Sequence, residues 1–148
     1  PTNTFGPNDN YDELNSHFFP SLIKKIHKIK TKNLKKLIIW GNGSPKREII
    51  YVDDIADACV YFMNKKFNGT ILNIGTGYDH SIKDYAKIIL KIIIPDKKVN
   101  IIYDRSKPNG TPRKVMDVSL AKKYGWKAKI DLKLAIKMTY SDFLLKNK

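Results

Sequence analysis

Apolar residues recur along this sequence at two spacings, one typical of helices and the other of strands. A first amphipathic helix is predicted after Asn15 and Ser16, which can cap it, with Pro20 in the first turn, where a missing N–H matters least. Further helices are predicted after Asp53, whose carboxylate would cap the positive end, and after Ser81. The predicted helices cover about 15–30, 53–66, 81–93, 119–124 and 131–145.

Short apolar runs between these helices predict strands. They are Lys36 to Trp40, Arg47 to Val52, Thr70 to Ile74 and Val99 to Tyr103, and residues 1–13 are interpreted as a strand end followed by a loop. Alternating strands and helices favour an α/β fold. A parallel sheet needs several neighbouring strands with crossovers on both faces, so we expect this chain to be part of a larger fold.

The composition is that of a globular protein, with 42% apolar and 28% charged residues among 148. The longest apolar run, Ile88 to Ile94, is interrupted by Lys91 and falls short of the ~18 residues that a membrane span needs. A single cysteine, Cys59, excludes an internal disulfide and, without a recognisable signal peptide, favours the cytoplasm. Its place between Ala58 and Val60 on an apolar helix predicts a buried side chain.

The formal net charge of +14 raises the question of a polyanionic partner. Among the 28 basic residues the arginines are Arg47, Arg105 and Arg113, whereas nucleic-acid surfaces favour arginine for bidentate contacts. The lysines are scattered along the chain together with many Ile and Asn, residue types that AT-rich codons encode. We attribute the excess to genome composition, with a basic nucleic-acid-binding module as the alternative.

A glycine-rich turn followed by basic residues is a candidate ligand site. The segment from Gly41 to Lys46 reads G-N-G-S-P-K and leads into the strand that begins at Arg47. Arginine presents a planar fork to phosphate oxygens, so this order favours a diphosphate clamp. A strand that feeds a capped helix explains Asp53 and Asp54 without any chemistry.

Longer phrases of the sequence are similar to a known enzyme family. R-E-I-I-Y-V-D-D-I-A-D-A from Arg47 and N-I-G-T-G from Asn73 resemble the second half of extended short-chain dehydrogenases, which include sugar-nucleotide epimerases, dehydratases and reductases. Four phrases resemble GDP-L-fucose synthases, in that family's order and spacing: P-T-N-T-F-G-P-N-D-N-Y, N-S-H-F-F-P-S-L-I-K-K, W-G-N-G-S-P-K-R-E and S-K-P-N-G-T-P-R-K. The resemblance spans essentially the whole chain and implies the carboxy-terminal half of such an enzyme.

The resemblance implies an NADP-dependent epimerase and reductase with His17 as a general acid. Enzymes of this family epimerise GDP-4-keto-6-deoxy-D-mannose at two carbons beside the ketone and reduce the ketone with NADPH. Proton transfer beside a carbonyl needs a group with a pKa near neutrality, and histidine meets that need. The other histidines, His27 and His80, are expected on the surface. On the nicotinamide side of the pocket, the resemblance implies His17 together with Pro1, Thr2, Asn3 and Thr4.

For the GDP-sugar, the resemblance implies contacts from Lys25, Trp40, Arg47, Lys107, Asn109 and Arg113. Arg47 is the expected diphosphate ligand, and Trp40 would form a flat apolar wall. Lys25 and Asn109 depart from the arginine and the aspartate usual in the family, so a bidentate fork and a negative charge are lost. The segment from 106 to 114 would close over the ligand.

The cofactor site and most of the catalytic groups are expected outside this sequence. Gly75-Thr76-Gly77 lacks the third glycine of a dinucleotide fingerprint. Tyr61 and Lys65 form a Tyr-x-x-x-Lys pattern where the family has only a packing helix, so we reject it as catalytic. The family's catalytic Ser, Cys, Tyr and Lys would lie on an amino-terminal half, and this chain alone is therefore expected to be inactive.

In domain terms, residues 1–148 are expected to form one substrate-binding piece, in which 1–5 and about 52–75 belong to the NADP-binding Rossmann domain of the complete enzyme. The expected partners are the GDP-sugar, the amino-terminal half and, in the complete enzyme, a second copy in a homodimer. No membrane partner is expected, and nucleic acid is disfavoured. Half of another nucleotide-sugar epimerase or dehydratase is the nearest alternative.

Overall fold

Strands and helices follow one another in mixed order along the chain. The computed structural model describes residues 1–12, 15–66, 69 and 71–146. The strands are β1 (Asn3–Phe5), β2 (Lys36–Trp40), β3 (Lys46–Tyr51), β4 (Asp79–Ser81), β5 (Asn100–Asp104) and β6 (Arg113–Lys114). The helices are α1 (Phe18–Thr31), α2 (Val52–Met63), α3 (Ile82–Ile93), α4 (Ser119–Lys123) and α5 (Leu132–Lys146).

Strand β3 is the centre of the larger sheet. Its residues 49–51 pair in parallel with β1, its residues 46–48 pair antiparallel with β4, and its residues 46–47 pair in parallel with β6. A second sheet joins β2 and β5 in parallel, from Lys36 opposite Asn100 to Trp40 opposite Asp104. Strands β4 and β6 therefore meet at the amino-terminal half of β3, where Arg47 lies.

Helices α1, α3 and α5 bury their apolar faces against one another and against the strands. Ile23, Ile26, Ile89 and Ile136 are completely buried in this core. Burial of such a side chain contributes roughly 1.5–3 kcal/mol, so packing holds these helices more than intrinsic propensity does. A smaller cluster forms around Trp126, between α2 and α4. Within the described ranges, no helix combines the length and apolarity needed to cross a bilayer.

The helix starts differ from the predicted ones at two places. Helix α1 begins at Phe18 with His17 as its N-cap, so the predicted caps Asn15 and Ser16 lie outside it. Asp53 lies inside the first turn of α2, after the N-cap Tyr51, and its acidic side chain faces the positive helix end without capping it. Ser81 caps α3 as predicted, through a hydrogen bond from the Asp84 N–H.

The predicted strand at 70–74 is not formed in residues 71–74, and Thr70 lies outside the described residues. The Thr2 N–H, just before β1, donates to the Ile74 carbonyl at 3.1 Å, and one bond does not make a ladder. Strands β4 and β6 were not predicted from the sequence.

Cys59 is exposed, so the prediction that it belongs to the core is wrong. Ala58 faces the protein core from α2. Each following residue is rotated by ~100° around the helix axis, which directs Cys59 and Val60 toward solvent. Val60 and Met63 are 63% and 82% exposed. The outer face of α2 thus presents apolar side chains to solvent, and Ile71, further along the chain, is also exposed.

Candidate nucleotide-sugar cleft

A cleft of about 290 Å³ opens beside the first turns of α1. Its walls come from α1 and the residues just before it, the carboxyl end of β2, the start of β3 and the segment that follows β5. Four of the residues predicted to bind the GDP-sugar line it together: Lys25, Trp40, Arg47 and Asn109. These residues come from three distant parts of the sequence, and the fold brings them into one site.

Trp40 presents an exposed aromatic ring flanked by two lysines. Trp40 lies at the end of β2 and is 62% exposed. The Nζ atoms of Lys25 and Lys107 each lie 5.6 Å from the centroid of its ring. A flat ring with two ammonium groups beside it suits a ligand that carries both a planar group and an anionic group.

Arg47 is half-buried at the base of the same cleft. Its Nη1 donates to the Lys46 carbonyl at 2.7 Å and to the Thr111 carbonyl at 2.6 Å. These two bonds fix the guanidinium, whereas its Nε and Nη2 have no hydrogen-bond partner among the described residues. These unpaired donors can bind an anion.

The segment 104–112 forms the wall opposite α1 and is attached to the glycine turn. The Gly41 N–H donates to the Asp104 carbonyl, the Asn42 N–H to Asn109 Oδ1 and the Lys46 N–H to the Pro112 carbonyl, each at 2.8 Å. Gly41 and Gly43 have φ values of 68° and 71°, which glycine adopts without the strain that a side chain would cause. A second opening of about 340 Å³ lies on the other side of Asn109, lined by Arg105 and Lys107.

Arg113 does not line the cleft. Its Nε lies 2.5 Å from Asp79 Oδ2 and its Nη2 lies 3.3 Å from Oδ1, so it forms a bidentate ion pair between β6 and β4. This hydrogen-bonded guanidinium holds the pKa of the Asp79 carboxyl below its usual range. Arg113 is thus engaged in this ion pair, and its contact with the GDP-sugar stays a prediction.

The residues predicted to face the nicotinamide lie apart from this cleft. Pro1, Thr2 and Asn3 line a separate opening of about 370 Å³ together with residues 114–116. The side chains of Thr2 and Asn3 donate to the Glu48 carbonyl at 3.1 and 3.4 Å. Thr4 is exposed, and its hydroxyl donates to the carbonyl of Thr2 at 3.3 Å.

His17 is exposed at the amino end of α1. It does not itself line the cleft, although Ser16 and Phe18 on either side of it do. His80 is also exposed, as predicted. His27, in contrast, is half-buried, and its Nδ1 lies 2.9 Å from the hydroxyl of Tyr140. Burial lowers the pKa of His27, with a further contribution from Lys30, so the surface prediction for this residue is wrong.

Sequence reasoning missed Glu48, which is completely buried. Its carboxylate accepts the N–H groups of Gly77 and Met116, both at 2.7 Å, and the hydroxyl of Thr76 at 3.3 Å. The Gly77 N–H and the Thr76 hydroxyl of the Gly-Thr-Gly segment are thus bound to a side chain of the protein itself, and no dinucleotide is needed to explain the pattern. A lone acidic residue inside an apolar strand was the signal that could have revealed it.

Two further patterns have structural explanations. The hydroxyl of Tyr61 donates to the Tyr124 carbonyl at 2.9 Å, and Lys65 Nζ lies 4.9 Å from the centroid of the Tyr61 ring. The Tyr-x-x-x-Lys pair therefore packs α2 against the end of α4. Asp54 is 2% exposed and accepts the N–H groups of residues 129 and 130 at 2.9 and 3.2 Å.

The described residues form a mixed α/β fold with a cationic, aromatic cleft. The NAD dependent epimerase/dehydratase family matches residues 1–75, and the chain belongs to this family. GDP-L-fucose synthase 1 of Arabidopsis thaliana is 40% identical over 147 residues, which cover 99% of this chain and 45% of that protein. GDP-L-colitose synthase of Yersinia pseudotuberculosis is 40% identical over 146 residues, covering 97% and 46%.

A solved structure of a GDP-L-fucose synthetase from Naegleria fowleri bound to NADP superposes on this fold with a TM-score of 0.88. The two share 25% sequence identity, and the match covers 99% of this chain and 44% of that chain. The chain therefore spans about half the length of the relatives it matches. These findings confirm the predicted α/β class and the resemblance to GDP-L-fucose synthases.

Proposed function

We propose that this chain is the carboxy-terminal, GDP-sugar-binding half of an NADP-dependent GDP-L-fucose synthase. The complete enzyme would convert GDP-4-keto-6-deoxy-D-mannose to GDP-L-fucose by epimerisation and ketone reduction. The observation that carries the proposal is the convergence of Lys25, Trp40 and Arg47 on one cleft of about 290 Å³. The names of the relatives support GDP as the nucleotide.

The diphosphate would bind between Arg47 and the two lysines beside Trp40. Nε and Nη2 of Arg47 can donate to phosphate oxygens while Nη1 keeps the carbonyl of Thr111, so binding does not require the segment 104–112 to detach. Lys25 and Lys107 would turn from the ring toward the added negative charge. The exposed face of Trp40 then becomes available to a planar or apolar part of the ligand.

His17 would act as the acid that returns a proton to carbon during epimerisation. Exposure at the amino end of α1 leaves its ring free to approach a ligand in the neighbouring cleft. An imidazole can hold or release a proton near neutral pH, as proton transfer beside a carbonyl requires. This role rests on the resemblance of the N-S-H-F-F-P phrase.

The described residues do not fit a complete NADP site. The Gly77 N–H and the Thr76 hydroxyl, which could otherwise receive a phosphate, are bound to the buried carboxylate of Glu48. Pro1, Thr2 and Asn3 offer at most one wall beside a nicotinamide. We therefore assign the reduction to the complete enzyme and expect this chain alone to be inactive.

The apolar outer face of α2 supports the proposed domain division. Cys59, Val60 and Met63 are exposed on α2, and Ile71 is exposed further along the segment 52–75. Exposed apolar side chains in such numbers are typical of an interaction site. In the complete enzyme, residues 1–5 and 52–75 would pack as part of the NADP-binding domain, and the enzyme would form a homodimer as its resemblance implies.

A GDP-L-colitose synthase is the second candidate, because that relative is as similar as the fucose synthase. Both names contain GDP and differ in the sugar. Binding of GDP alone therefore tests the shared part of the two proposals, whereas the product formed by the complete enzyme distinguishes them.

Calorimetric titration of the chain with GDP-fucose, UDP-galactose and single-stranded DNA at two salt concentrations tests the proposal. We expect saturable GDP-fucose binding that survives salt and that Arg47→Ala weakens about tenfold or more, because a charged hydrogen bond is lost. Arg113→Ala is the matched control, since Arg113 lies outside the cleft and should change the affinity less than about twofold. Equal losses in both variants, or DNA binding that collapses with salt and no preference for GDP-fucose, would refute the proposal.

A further inference from the structure

Asn109 lies against the glycine turn that ends β2. Its Oδ1 accepts the N–H of Asn42 at 2.8 Å, across 67 residues of sequence. Gly41, the residue before Asn42, also lies very close to Asn109. A Cβ on Gly41 would overlap Oδ1 of Asn109 and crowd its Cα. A glycine at position 41 and a short acceptor at position 109 are thus matched to each other.

The same stretch of chain carries Lys107 and Pro108 into the cleft. Lys107 Nζ lies 5.6 Å from the centroid of the Trp40 ring, and Pro108 lines the cleft beside Asn109. On the other side of Asn109, the carbonyl of Thr111 is fixed by Arg47 Nη1 at 2.6 Å. With the bonds to the Asp104 and Pro112 carbonyls, the wall is attached at four points, and the Asn109 bond is the one nearest in sequence to Lys107 and Pro108.

We propose that Asn109 is a positioning residue, whose side chain fixes Lys107 and Pro108 against Trp40 by holding the Asn42 N–H, and that it does not contact the ligand through its amide. This inference rests on the proposed GDP-sugar site and replaces the direct contact that the resemblance implies for Asn109. If the wall is already ordered before the ligand binds, the binding free energy does not include the entropic cost of ordering the wall.

The chemistry of the side chain separates the two roles. As a positioning residue, Asn109 acts through its Oδ1, an acceptor that an aspartate would supply equally well. A ligand contact through Nδ2 would be lost in an aspartate, which lacks that donor, whereas a ligand contact through an oxygen, such as the aspartate usual in the family could make, would be kept. Unchanged Asn42 exchange in Asn109→Ala would reveal that second kind of contact. Asn109→Asp therefore keeps the positioning role and removes a contact through Nδ2, whereas Asn109→Ala removes both.

Two ligand-free measurements and one titration test the proposal on the chain. The first is exchange of the Asn42 amide proton measured by NMR. The second is acrylamide quenching of Trp40, which reports the cleft because Trp126 is only 2% exposed. The titration uses GDP at high salt, where the charge introduced by aspartate is screened. Thr111→Ala is the control, because its hydroxyl has no hydrogen bond among the described residues and only its carbonyl is used.

For Asn109→Ala we expect Asn42 amide exchange about tenfold faster, stronger Trp40 quenching and GDP binding about fivefold weaker, as for the loss of one neutral hydrogen bond. Asn109→Asp and Thr111→Ala should stay within about twofold of the parent chain in all three. Unchanged Asn42 exchange or unchanged Trp40 quenching in Asn109→Ala would overturn the inference. So would GDP binding by Asn109→Asp that is as weak as that of Asn109→Ala.

The two proposals fail in different ways. If the parent chain does not bind GDP, the proposed function is wrong, yet the Asn42 and Trp40 measurements still decide whether Asn109 holds the wall. If GDP binds and Arg47→Ala abolishes binding while Asn109→Ala leaves all three measurements unchanged, only the inference about Asn109 is wrong.

Discussion

The carboxylate of Glu48 accepts the N–H of Gly77 at 2.7 Å, inside the Gly-Thr-Gly segment that follows α2. Its other oxygen accepts the N–H of Met116 at the same distance, so one buried anion joins two segments that are distant in sequence. A Cβ on Gly75 would overlap the same carboxylate, which explains the glycine at that position. Backbone N–H groups stabilise a buried carboxylate without a neighbouring cation.

Glu48→Gln is expected to lower the free energy of unfolding by about 2 kcal/mol. The amide has one oxygen for two buried N–H donors, so its NH2 group would point toward the second of these donors. Urea unfolding followed by circular dichroism measures the change. Asp53→Asn is the control, because Asp53 is exposed in the first turn of α2 and should change stability by less than ~1 kcal/mol. Equal stability of Glu48→Gln and the parent chain would show that the carboxylate charge is not needed.

Stability is expected to fall as the pH decreases from 7.5 to 5, partly because of His27. In the folded chain, burial lowers the pKa of His27 below its ordinary value of 6.5. The unfolded chain therefore takes up the proton first as the pH falls below 6.5. The stabilisation is fully present above pH 6.5 and is lost as the pH falls toward the lowered folded pKa. The carboxylates with lowered pKa values, such as Asp57 and Asp79, titrate below 3.8 and do not affect this range.

His27→Gln should flatten this pH dependence, because glutamine can still bond the Tyr140 hydroxyl without titrating. Urea midpoints measured every half pH unit provide the test. His80→Gln, at an exposed position, should leave the slope as it is in the parent chain. A slope that persists in His27→Gln would assign the pH dependence to other groups.

Cys59 is expected to react with a thiol reagent in the native chain at nearly the rate seen in urea, because its side chain is exposed on the outer face of α2. In the complete enzyme, where we propose that this face is covered, the same cysteine should react at least tenfold more slowly. Absorbance of the released thiolate measures both rates. Equal rates in the two proteins would contradict the proposed packing of residues 52–75.

Lys25→Met is expected to weaken GDP binding about threefold to tenfold, since one of the ammonium groups beside Trp40 is removed. Lys25→Arg should bind GDP at least as tightly as the parent chain, because a guanidinium adds a bidentate fork. Titration at low and high salt measures both effects. Lys36→Met, on the exposed edge of the same strand as Trp40, is the control for the loss of general positive charge.

The elements that could be predicted are those in which buried and exposed side chains alternate with the period of the helix or strand itself. Strand β2 alternates exposed and buried residues, and α1 buries Ile23, Ile26 and Ile29 at helical spacing, so both were predicted from the sequence. Strands β4 and β6 contain three and two residues and are polar, and they exist because both pair with β3. No local pattern could indicate them.

The candidate site was predicted only in part, because some of its features depend on partners that are distant in sequence. Arg47 and Trp40 flank a glycine turn, a local signal that the sequence displays. Whether Arg113 reaches the cleft depends on Asp79, which lies 34 residues away and pairs with it. The buried state of Glu48 likewise depends on partners that β3 meets only in the folded chain.

The bonds that close the cleft, from Asn42 to Asn109 and from Arg47 to Thr111, span 67 and 64 residues. Each of these hydrogen bonds contributes only about 1 kcal/mol, too little to offset alone the entropy of closing so long a loop, so we expect them to form late during folding. Helices α1 and α3 are as far apart in sequence, as the contact of Phe19 with Tyr85 shows, but burial of their apolar faces offsets that entropy. Refolding would therefore pass through a compact chain that has its core and lacks its binding site, and a nucleotide present during refolding would act only on the last step.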